Sequence, residues 1–335
     1  MARALLLALD YGGTKHTAAL LVPGERTWLA HGRVFSSPGA DATCDQAAML
    51  DLARRLLREH PGQLTAVGVS FGGPVDATRG VVRLSHHVPG WEETPLAARL
   101  QAELGAPVAV DNDANVAALG EWTFGAGQGC TSLLYVTVST GIGGGWVLAG
   151  RIWGGADGMA GEIGHVVVRP GGVPCVCGKN GCLEAEACGW GIAAKARAWL
   201  EGGGERLKAG NRHPEADSGK QEAGTALLAL AGGRSEAVTA QMVAQAAAEG
   251  DPLAQAVLDD AAEALGAGLG GAINLMNPER VVLGGGVTKA GERWWQIVRD
   301  TARRHALPQT RVEIVPAALG DDAPLWGAAA LAQAL

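Results

Sequence analysis

Length and charge set the first limits on this chain. Its 335 residues exceed the roughly 250–300 residues that one hydrophobic core usually supports, so we expect two domains. A formal net charge of −7 argues against a general nucleic-acid surface, and no apolar run reaches the roughly 18 residues that a membrane span needs. Six cysteines, three of them clustered, favour a reducing, cytoplasmic location.

The N-terminal segment predicts a buried strand followed by a glycine turn. Leu5 to Leu9 is a short apolar run without a small-residue cleavage site after it, which favours a strand over a signal peptide. The next residues, Asp10 to Lys15, read Asp-Tyr-Gly-Gly-Thr-Lys, and His16 to Val22 returns as a second strand. Glycines at such a turn let backbone N–H groups approach a phosphate, and the threonine and lysine add a hydroxyl and a cation. An ordinary β-hairpin would explain the two glycines equally well.

A helix and two strands then lead to a group of acidic and amide residues. Residues 45–59 have the apolar spacing of a helix, 65–71 read as a strand, and 107–110 read as another. The sequence Asp-Asn-Asp-Ala-Asn follows at 111–115 and begins a helix. Asp113 is therefore expected at the carboxyl end of a strand, where open α/β sheets bind their ligands. Its alternative role is that of a helix N-cap, which aspartate favours.

A second strand, glycine turn and strand begins at Leu133. Residues 133–138 are apolar, 139–145 read Ser-Thr-Gly-Ile-Gly-Gly-Gly, and 146–149 form the returning strand. This recurrence, about 128 residues after the first turn, is typical of a duplicated domain and predicts two hairpins that face each other across a cleft. A third strand with a glycine turn follows at 281–286.

The densest group of candidate metal ligands lies in the middle of the chain. Cys175, Cys177 and Cys182 fall within eight residues, and His165 lies ten positions before the first of them. Three thiolates and one imidazole are what a four-coordinate structural Zn²⁺ takes. Cys188 could replace one ligand, and a loop with incidental reduced cysteines is the alternative. We expect the zinc to fix a loop that brings polar side chains into one pocket.

The remaining segments predict packing rather than chemistry. Residues 201–225 contain a run of glycines and mixed charges, which is typical of an exposed, mobile insertion without a catalytic role. Residues 252–275 form a long helix of small residues, and a terminal helix that begins at Asp322 is expected to pack back on the first domain.

Taken together, the motifs resemble those of the ROK family (repressors, open reading frames and sugar kinases), in the actin-like sugar-kinase superfamily. The resemblance covers nearly the whole chain. It rests most specifically on the segment Glu162-x-Gly164-His165 followed by Cys175-x-Cys177-Gly-x-x-Gly181-Cys182-x-Glu184. Further support comes from Asp10-x-Gly12-Gly13-Thr14-Lys15, Gly73-Pro74-Val75-Asp76, Asn112-Asp113-Ala114-Asn115 and Thr140-Gly141-Ile142-Gly143-Gly144-Gly145.

The resemblance implies an α/β fold of two duplicated actin-like (ribonuclease H-like) domains with an interdomain cleft and a zinc-bound loop. The smaller N-terminal domain would comprise 1–114 and about 318–335, and the larger would comprise 115–317 with the insertion at 201–225. The implied reaction is ATP-dependent phosphorylation of a neutral hexose at its 6-hydroxyl, with glucose favoured. The alternatives are an N-acetylglucosamine or N-acetylmannosamine kinase and a sugar-responsive ROK transcriptional regulator. Such regulators carry a helix-turn-helix before the first strand, where only about nine residues precede Asp10 here.

The resemblance also gives roles to individual residues. Asp113 matches the general base, and the sugar contacts match Gly73, Asn112, Asp113, Glu162, His165 and Glu184. Zinc would be held by His165, Cys175, Cys177 and Cys182, with the second imidazole nitrogen facing a sugar hydroxyl. ATP would contact Asp10, Gly12, Gly13, Thr14, Lys15, Thr140, Gly141 and Gly285. Asp10 would also meet Mg²⁺ through water.

Three positions depart from the family pattern. Gly72 stands where proline is usual, His87 where asparagine is common, and Ser139 where glycine is usual. The first two are expected near the sugar, so they bear on which hexose is chosen. We expect a homodimer or homotetramer that binds sugar and ATP, and neither nucleic acid nor membrane.

Overall fold

The computed structural model describes residues 2–85, 87–202 and 223–335. These residues form two compact units. The first unit comprises Met1–Tyr135, Gly145–Gly161 and Ala317–Leu335, and the second comprises Val136–Gly144 and Glu162–Pro316. Most of the insertion predicted at 201–225 lies outside the described residues.

A five-stranded mixed sheet organises the first unit. Its strands, in the order β3-β2-β1-β4-β7, are β1 (Ala4–Tyr11), β2 (Lys15–Leu21), β3 (Ala30–Phe35), β4 (Gln63–Phe71) and β7 (Val108–Asn112). A separate two-stranded sheet is formed by β5 (Val75–Asp76) and β6 (Val81–Val82). Strands β1, β4 and β7 are parallel, and Tyr11, Phe71 and Asn112 lie side by side at their carboxyl ends. The residues that follow these three positions therefore share one edge of the sheet.

Strand β1 is buried on both faces, as its apolar run predicted. Leu7 and Leu9 face the core formed with two helices, α1 (Ala42–Glu59) and α2 (Leu96–Leu104). Leu6 and Ala8 face the opposite core, which includes α10 (Ala323–Gln333). This alternation follows from the two-residue period of a β-strand.

Close backbone contacts fix the position of α10. A Cβ on Gly68 of β4 would lie 1.8 Å from the Ala328 oxygen, and a Cβ on Gly327 would lie 1.7 Å from the Val116 oxygen. Val116 belongs to α3 (Asp113–Phe124). Glycines at these positions therefore let α10 pack directly against the sheet and α3.

A second five-stranded sheet has the order β10-β9-β8-β11-β12. Its strands are β8 (Ser132–Val138), β9 (Ile142–Leu148), β10 (Arg151–Ile152), β11 (Arg280–Gly284) and β12 (Glu313–Pro316). When the strands of each sheet are numbered one to five in chain order, both sheets have the same spatial order, 3-2-1-4-5. The α/β class is confirmed, and the domain duplication stays a prediction.

Helices of the second unit lie between β10 and β12 in the chain. They are α4 (Leu183–Ala187), α5 (Gly189–Leu200), α6 (Thr225–Leu230), α7 (Ala240–Ala248), α8 (Pro252–Met276) and α9 (Glu292–His305). The long helix predicted at 252–275 is α8, which Asp251 caps and which ends at left-handed Asn277. None of the described helices combines the length and apolar character that a membrane crossing requires.

The predicted boundary between the second glycine turn and its returning strand was wrong. Residues 139–145 were predicted to form a glycine turn, but β9 already begins at Ile142. A Cβ on Gly145 would lie 2.7 Å from the Ala114 oxygen. This glycine serves the close packing of β9 against α3 rather than the turn.

Candidate active site

The first glycine turn, residues 12–15, joins β1 to β2. The Gly12 N–H donates to the Lys15 oxygen at 3.1 Å, and a Cβ on Gly12 would lie 2.8 Å from that oxygen. The His87 ring lies against Gly13, where a Cβ would come within 3.2 Å of it. His87 was expected near the sugar, and the structure places it beside the first glycine turn.

Asp10 precedes this turn at the end of β1 and accepts a hydrogen bond from the Ser70 hydroxyl at 2.9 Å. Burial raises the pKa of Asp10 to about 6, against the effect of that hydrogen bond. The nearby negative charge of Asp113 raises the pKa further, and the Lys15 charge lowers it. A divalent cation would relieve the repulsion, and carboxylate oxygens are ligands that Mg²⁺ accepts. The Asp10 carboxylate is therefore suited to a place beside a Mg²⁺ ion.

Asn112 and Asp113 occupy the junction between β7 and α3. The Asn112 side-chain oxygen accepts from the N–H groups of Ala114 and Asn115, so Asn112 is the N-cap and Asp113 is the first residue of the helix. The Asn112 amide donates to the Gly73 oxygen at 3.1 Å and to Asp113 Oδ1 at 3.0 Å. The Ala114 N–H also donates to Asp113 Oδ1, at 2.9 Å. These contacts hold the carboxylate in one orientation.

Gly72 leaves space beside this carboxylate. A Cβ on Gly72 would lie 3.9 Å from Asp113 Oδ2 and 3.4 Å from the Tyr11 oxygen. The side chain of a larger residue would therefore extend from a point close to Asp113. Gly72 therefore lies near Asp113, and its place beside the sugar stays a prediction.

The second glycine turn, residues 139–141, joins β8 to β9. The Ser139 N–H donates to the Gly141 oxygen at 2.9 Å, and the Gly189 N–H donates to the Ser139 oxygen at 2.7 Å. Gly285, which follows β11, has a φ of 91°. A Cβ on Gly285 would lie 2.4 Å from the Val138 oxygen, so only glycine fits beside the end of β8.

A cavity of about 950 Å³ lies beside the second glycine turn. It is lined by Ser139, Thr140, Gly189, Trp190, Ile192, Ala193, Arg197, Thr239, Ala240, Gln241, Ala244, Gln245, Leu258, Gly286, Val287, Lys289 and Ala290. Its volume lies at the upper end of the range typical of small-molecule sites. Lys289 lies just after the third glycine turn, so the sequence pointed to this part of the cavity wall. No local motif marks Trp190, Arg197 or Gln241, because packing of α5 and α7 brings them to the cavity.

The four predicted zinc ligands lie together in the second unit. Ligand atoms of His165, Cys175, Cys177 and Cys182 are all within 4.8 Å of one another. The Cys177 and Cys182 sulfurs are 3.6 Å apart, and His165 Nδ1 is 3.8 Å from Cys175 Sγ. Tetrahedral coordination with Zn–S bonds of about 2.3 Å would place two sulfurs about 3.8 Å apart. The spacing of the four ligand atoms is compatible with Zn²⁺, and the cluster contains Cys182 rather than Cys188.

The expected sugar contacts of the second unit divide into two places. His165 directs Nδ1 toward the cysteine cluster, and its Nε2 lies 3.9 Å from Glu162 Oε2. Glu184 Oε2 instead accepts a hydrogen bond from the Ile142 N–H at 3.0 Å. Glu162 and His165 are therefore neighbours, whereas Glu184 contacts the backbone beside the second glycine turn.

A buried charge cluster supports the helix that carries Glu184. Arg169 donates to Glu186 and Asp260, and Lys195 contacts the same two carboxylates. Glu186 also accepts from the Val173 N–H at 2.9 Å. The cluster thus joins the cysteine loop to α4, α5 and α8. Sequence reasoning missed it because its members are far apart along the chain.

The comparisons with known proteins agree with this geometry. Residues 6–335 match the ROK family, so the chain belongs to this family. A glucokinase from Halalkalibacterium halodurans is 39% identical over 294 residues, which cover 86% of this chain and 82% of that protein.

Two solved structures share the fold over nearly their whole length. A ROK hexokinase from Thermus thermophilus has a TM-score of 0.81 and 35% identity, with 98% of this chain and 97% of that chain covered. A ROK family glucokinase from Streptomyces griseus, in complex with glucose and AMPPNP, has a TM-score of 0.77 and 31% identity, with coverage of 99% and 100%. This chain is therefore a sugar kinase, and both the family and the enzyme class predicted from its motifs are confirmed.

Proposed function

We propose that this protein transfers the γ-phosphoryl group of ATP to the 6-hydroxyl of a neutral aldohexose, with glucose preferred. The observation that carries the proposal is the orientation of the Asp113 carboxylate, whose Oδ1 is bonded to the Asn112 amide and the Ala114 N–H. A sugar hydroxyl needs a positioned base to accept its proton as its oxygen bonds to phosphorus. The rest of phosphoryl transfer is mainly positioning and charge neutralisation.

The cavity beside Thr140 supports ATP as the donor. Its volume of about 950 Å³ accommodates a nucleoside, and the second glycine turn is at its wall. The similarity to a glucokinase solved with AMPPNP agrees with this choice. Lys15 would add a cation to the phosphates, and Asp10 would hold Mg²⁺ through water. Bound Mg²⁺ would supply neutralisation of the phosphate charge.

The sugar assignment rests on the chemistry of the proposed contacts. The residues proposed to hydrogen-bond the sugar hydroxyls are Gly73, Asn112, Glu162, His165 and Glu184. A site built to pair with hydroxyls leaves polar groups unpaired when a hydroxyl is missing, and this disfavours deoxygenated analogues. Two glutamates also repel a phosphorylated or carboxylated sugar. A neutral hexose fits this set best.

Structural zinc would fix the segment that carries three of these contacts. His165 would bind the ion through Nδ1, which leaves Nε2 beside Glu162 for a hydroxyl. A closed site of three thiolates and one imidazole keeps no open position for chemistry. The zinc would therefore hold the loop in position and take no part in the chemistry.

The substitution Asp113→Asn tests the base assignment. The amide occupies the same space and its oxygen can accept the same two hydrogen bonds, but it cannot take the proton. We expect kcat to fall by about 10²- to 10⁴-fold. The Kd for glucose, measured by calorimetry, should change by less than about threefold, since uniform binding is retained.

Asp111→Asn is the matched control. Asp111 is the next-to-last residue of β7 and is buried. Its Oδ1 accepts hydrogen bonds from the Asn112 N–H and the Asn115 amide. Its kcat should stay within about threefold of the wild-type value, because it contributes packing rather than proton transfer. A wild-type kcat in Asp113→Asn would remove the general base from the proposal.

A sugar panel tests the substrate. Glucose, N-acetylglucosamine and N-acetylmannosamine are compared by kcat/KM under the same conditions, with glucose expected to be highest. An N-acetylhexosamine with a kcat/KM about tenfold above that of glucose would overturn the glucose assignment and leave the kinase assignment in place.

A further inference from the structure

The carboxylate of Glu184 touches the backbone of the second glycine turn. Its Oε2 accepts a hydrogen bond from the Ile142 N–H at 3.0 Å. A Cβ on Gly141 would lie 2.7 Å from the same oxygen, which is shorter than Cβ contacts in proteins. The turn is therefore shaped around this carboxylate.

The segment around Glu184 contacts the turn at two further points. The Gly189 N–H, at the start of α5, donates to the Ser139 oxygen at 2.7 Å. A Cβ on Gly164 would lie 2.2 Å from the Ile142 oxygen, so the Glu162–His165 segment packs closely on the other side. Residues before and after the cysteine loop thus hold both ends of the turn.

Two donors of the turn are available for an anion. Within residues 2–85, 87–202 and 223–335, no acceptor is bonded to the N–H groups of Thr140 and Gly141. The neighbouring N–H groups of Ser139 and Ile142 are occupied, by the Gly141 oxygen and by Glu184. Consecutive backbone N–H groups in a turn form an anion-binding concavity. The Glu184 contact sets the orientation of the peptide next to these donors.

We infer that Glu184 is a positioning residue for the nucleotide phosphates as well as a sugar contact. Its Oε2 holds the second glycine turn in the form that binds phosphate, and its Oε1 serves the sugar. Because one side chain contributes to both sites, sugar and nucleotide each bind more tightly when the other is present, and the coupling is reciprocal. This inference rests on the proposed function, in which Glu184 contacts the hexose.

Calorimetric titration of the zinc-loaded full chain with AMPPNP and Mg²⁺ tests the inference. For the wild type, we expect AMPPNP to bind about fivefold or more tightly in saturating glucose, within the usual range of coupling between sites. In Glu184→Ala without any sugar, the Kd for AMPPNP should rise about fivefold or more, because the Ile142 N–H loses its acceptor. Glu184→Gln should recover most of the affinity, since its amide oxygen can accept that bond.

Glu162→Ala is the matched control. Glu162 is the other glutamate proposed for the sugar, and it makes no hydrogen bond to the turn among the described residues. Its Kd for glucose should rise, while its sugar-free Kd for AMPPNP should stay within about twofold, because only the sugar contact is lost. This control separates a sugar effect from a turn effect.

Gly141→Ala alone gives a test that does not need Glu184→Ala to fold, and a double-mutant cycle of the two then assigns the effect to their contact. Gly141 does not have a left-handed φ, so its backbone tolerates alanine. Gly141→Ala should weaken sugar-free AMPPNP binding when Glu184 is present and have little effect in Glu184→Ala, because the clash is with that side chain.

Two outcomes overturn the inference. One is an unchanged sugar-free Kd for AMPPNP in Glu184→Ala, and the other is strict additivity in the cycle. Either result would leave Glu184 as a sugar contact alone. A wild-type protein that fails to bind AMPPNP would instead overturn the proposed ATP site, so the two failures are distinguishable.

Discussion

The two glycine turns share a strand–turn–strand form but are supported by different chemistry. The first turn is held by a residue just after β3 and by the N-terminal part of α1. The Ser36 N–H donates to the Thr14 oxygen at 3.1 Å, and the Ser36 hydroxyl bonds to Asp45 and contacts His16. His16 Nε2 lies 2.9 Å from Asp45 Oδ1, with side chains only 1% and 2% exposed.

The second turn is held by residues from around the cysteine loop. Glu184, Gly189 and Gly164 contact the turn or Ile142, which follows it. A similar local motif is thus stabilised by a buried side-chain network in one unit and by contacts from around the cysteine loop in the other. Because zinc is proposed to hold that loop, its removal should affect only the second turn directly.

The largest expected effect comes from Cys177→Ser. The wild type should contain about one Zn²⁺ per chain, and this variant should lose it and with it about 100-fold or more in kcat/KM for glucose. Amide hydrogen exchange should increase at residues 139–142 and stay unchanged at 12–16. Elemental analysis, steady-state kinetics and exchange mass spectrometry give the three readouts.

Cys44→Ser is the matched control for the zinc prediction. Cys44 is an exposed cysteine on α1 and lies outside the ligand cluster. This variant should keep its zinc and its activity. Active wild-type protein without zinc would contradict the metal assignment, and equal exchange changes at both turns would contradict the comparison.

Asp45→Ala should disturb the first turn and spare the second. Its effect on turnover should be smaller than that of Cys177→Ser. Loss of the carboxylate leaves His16 and Ser36 without their shared partner, and unpaired buried polar groups cost about 3 kcal/mol. We expect kcat/KM to fall about tenfold through displacement of the first turn, with zinc retained. Exchange should increase at 12–16 and not at 139–142.

Asp51→Ala controls for the loss of an acidic residue from the same helix. Asp51 is exposed on α1, so its removal should change the free energy of unfolding by less than about 0.5 kcal/mol. If Asp45→Ala matched this control in stability and exchange, the buried pair would have no role in holding the first turn.

The smallest effect is expected at Asp260, which tests the charged support of the second turn. Burial by itself raises the pKa of Asp260, but the hydrogen bond from Arg169 and the charges of Lys195 and Arg169 outweigh it and lower the pKa. The ionised carboxylate therefore stabilises the fold above its ordinary pKa of about 3.9, and this contribution is lost as the pH falls through the lower folded value.

Asp260→Asn should reduce the free energy of unfolding by about 2 kcal/mol at pH 7, since charge-assisted hydrogen bonds are lost. The difference from the wild type should shrink as the pH is lowered from 5 toward 2. Urea unfolding at several pH values measures it. Asp259→Asn, which affects an ion pair with the exposed Arg293, should cost less than about 1 kcal/mol. A constant difference across this pH range would contradict the pKa argument.

The sequence predicted the features that contiguous residues encode. The apolar run of β1, the two glycine turns and the cluster of His165 with three cysteines all follow from short motifs whose backbone or ligand requirements are local. The long helix α8 was also predictable, because its cap and its small-residue pattern are continuous.

Features that depend on tertiary packing were not predictable in the same way. The sequence offered Asp113 as a possible cap of α3, but Asn112 takes that role because β7 ends there. The bond from the Ile142 N–H to Glu184 joins positions 42 residues apart. The cavity wall formed by Trp190, Arg197 and Lys289 likewise depends on how α5 and the segment after β11 pack.

The packing of α10 in the first unit has a consequence for biosynthesis. Leu325, Ala328 and Ala329 fill one face of the sheet that begins with β1. This half of the core cannot close until the last helix has left the ribosome, after every residue of the second unit has been made. Of the two units, the first has the earlier strands and is therefore the later to complete its core.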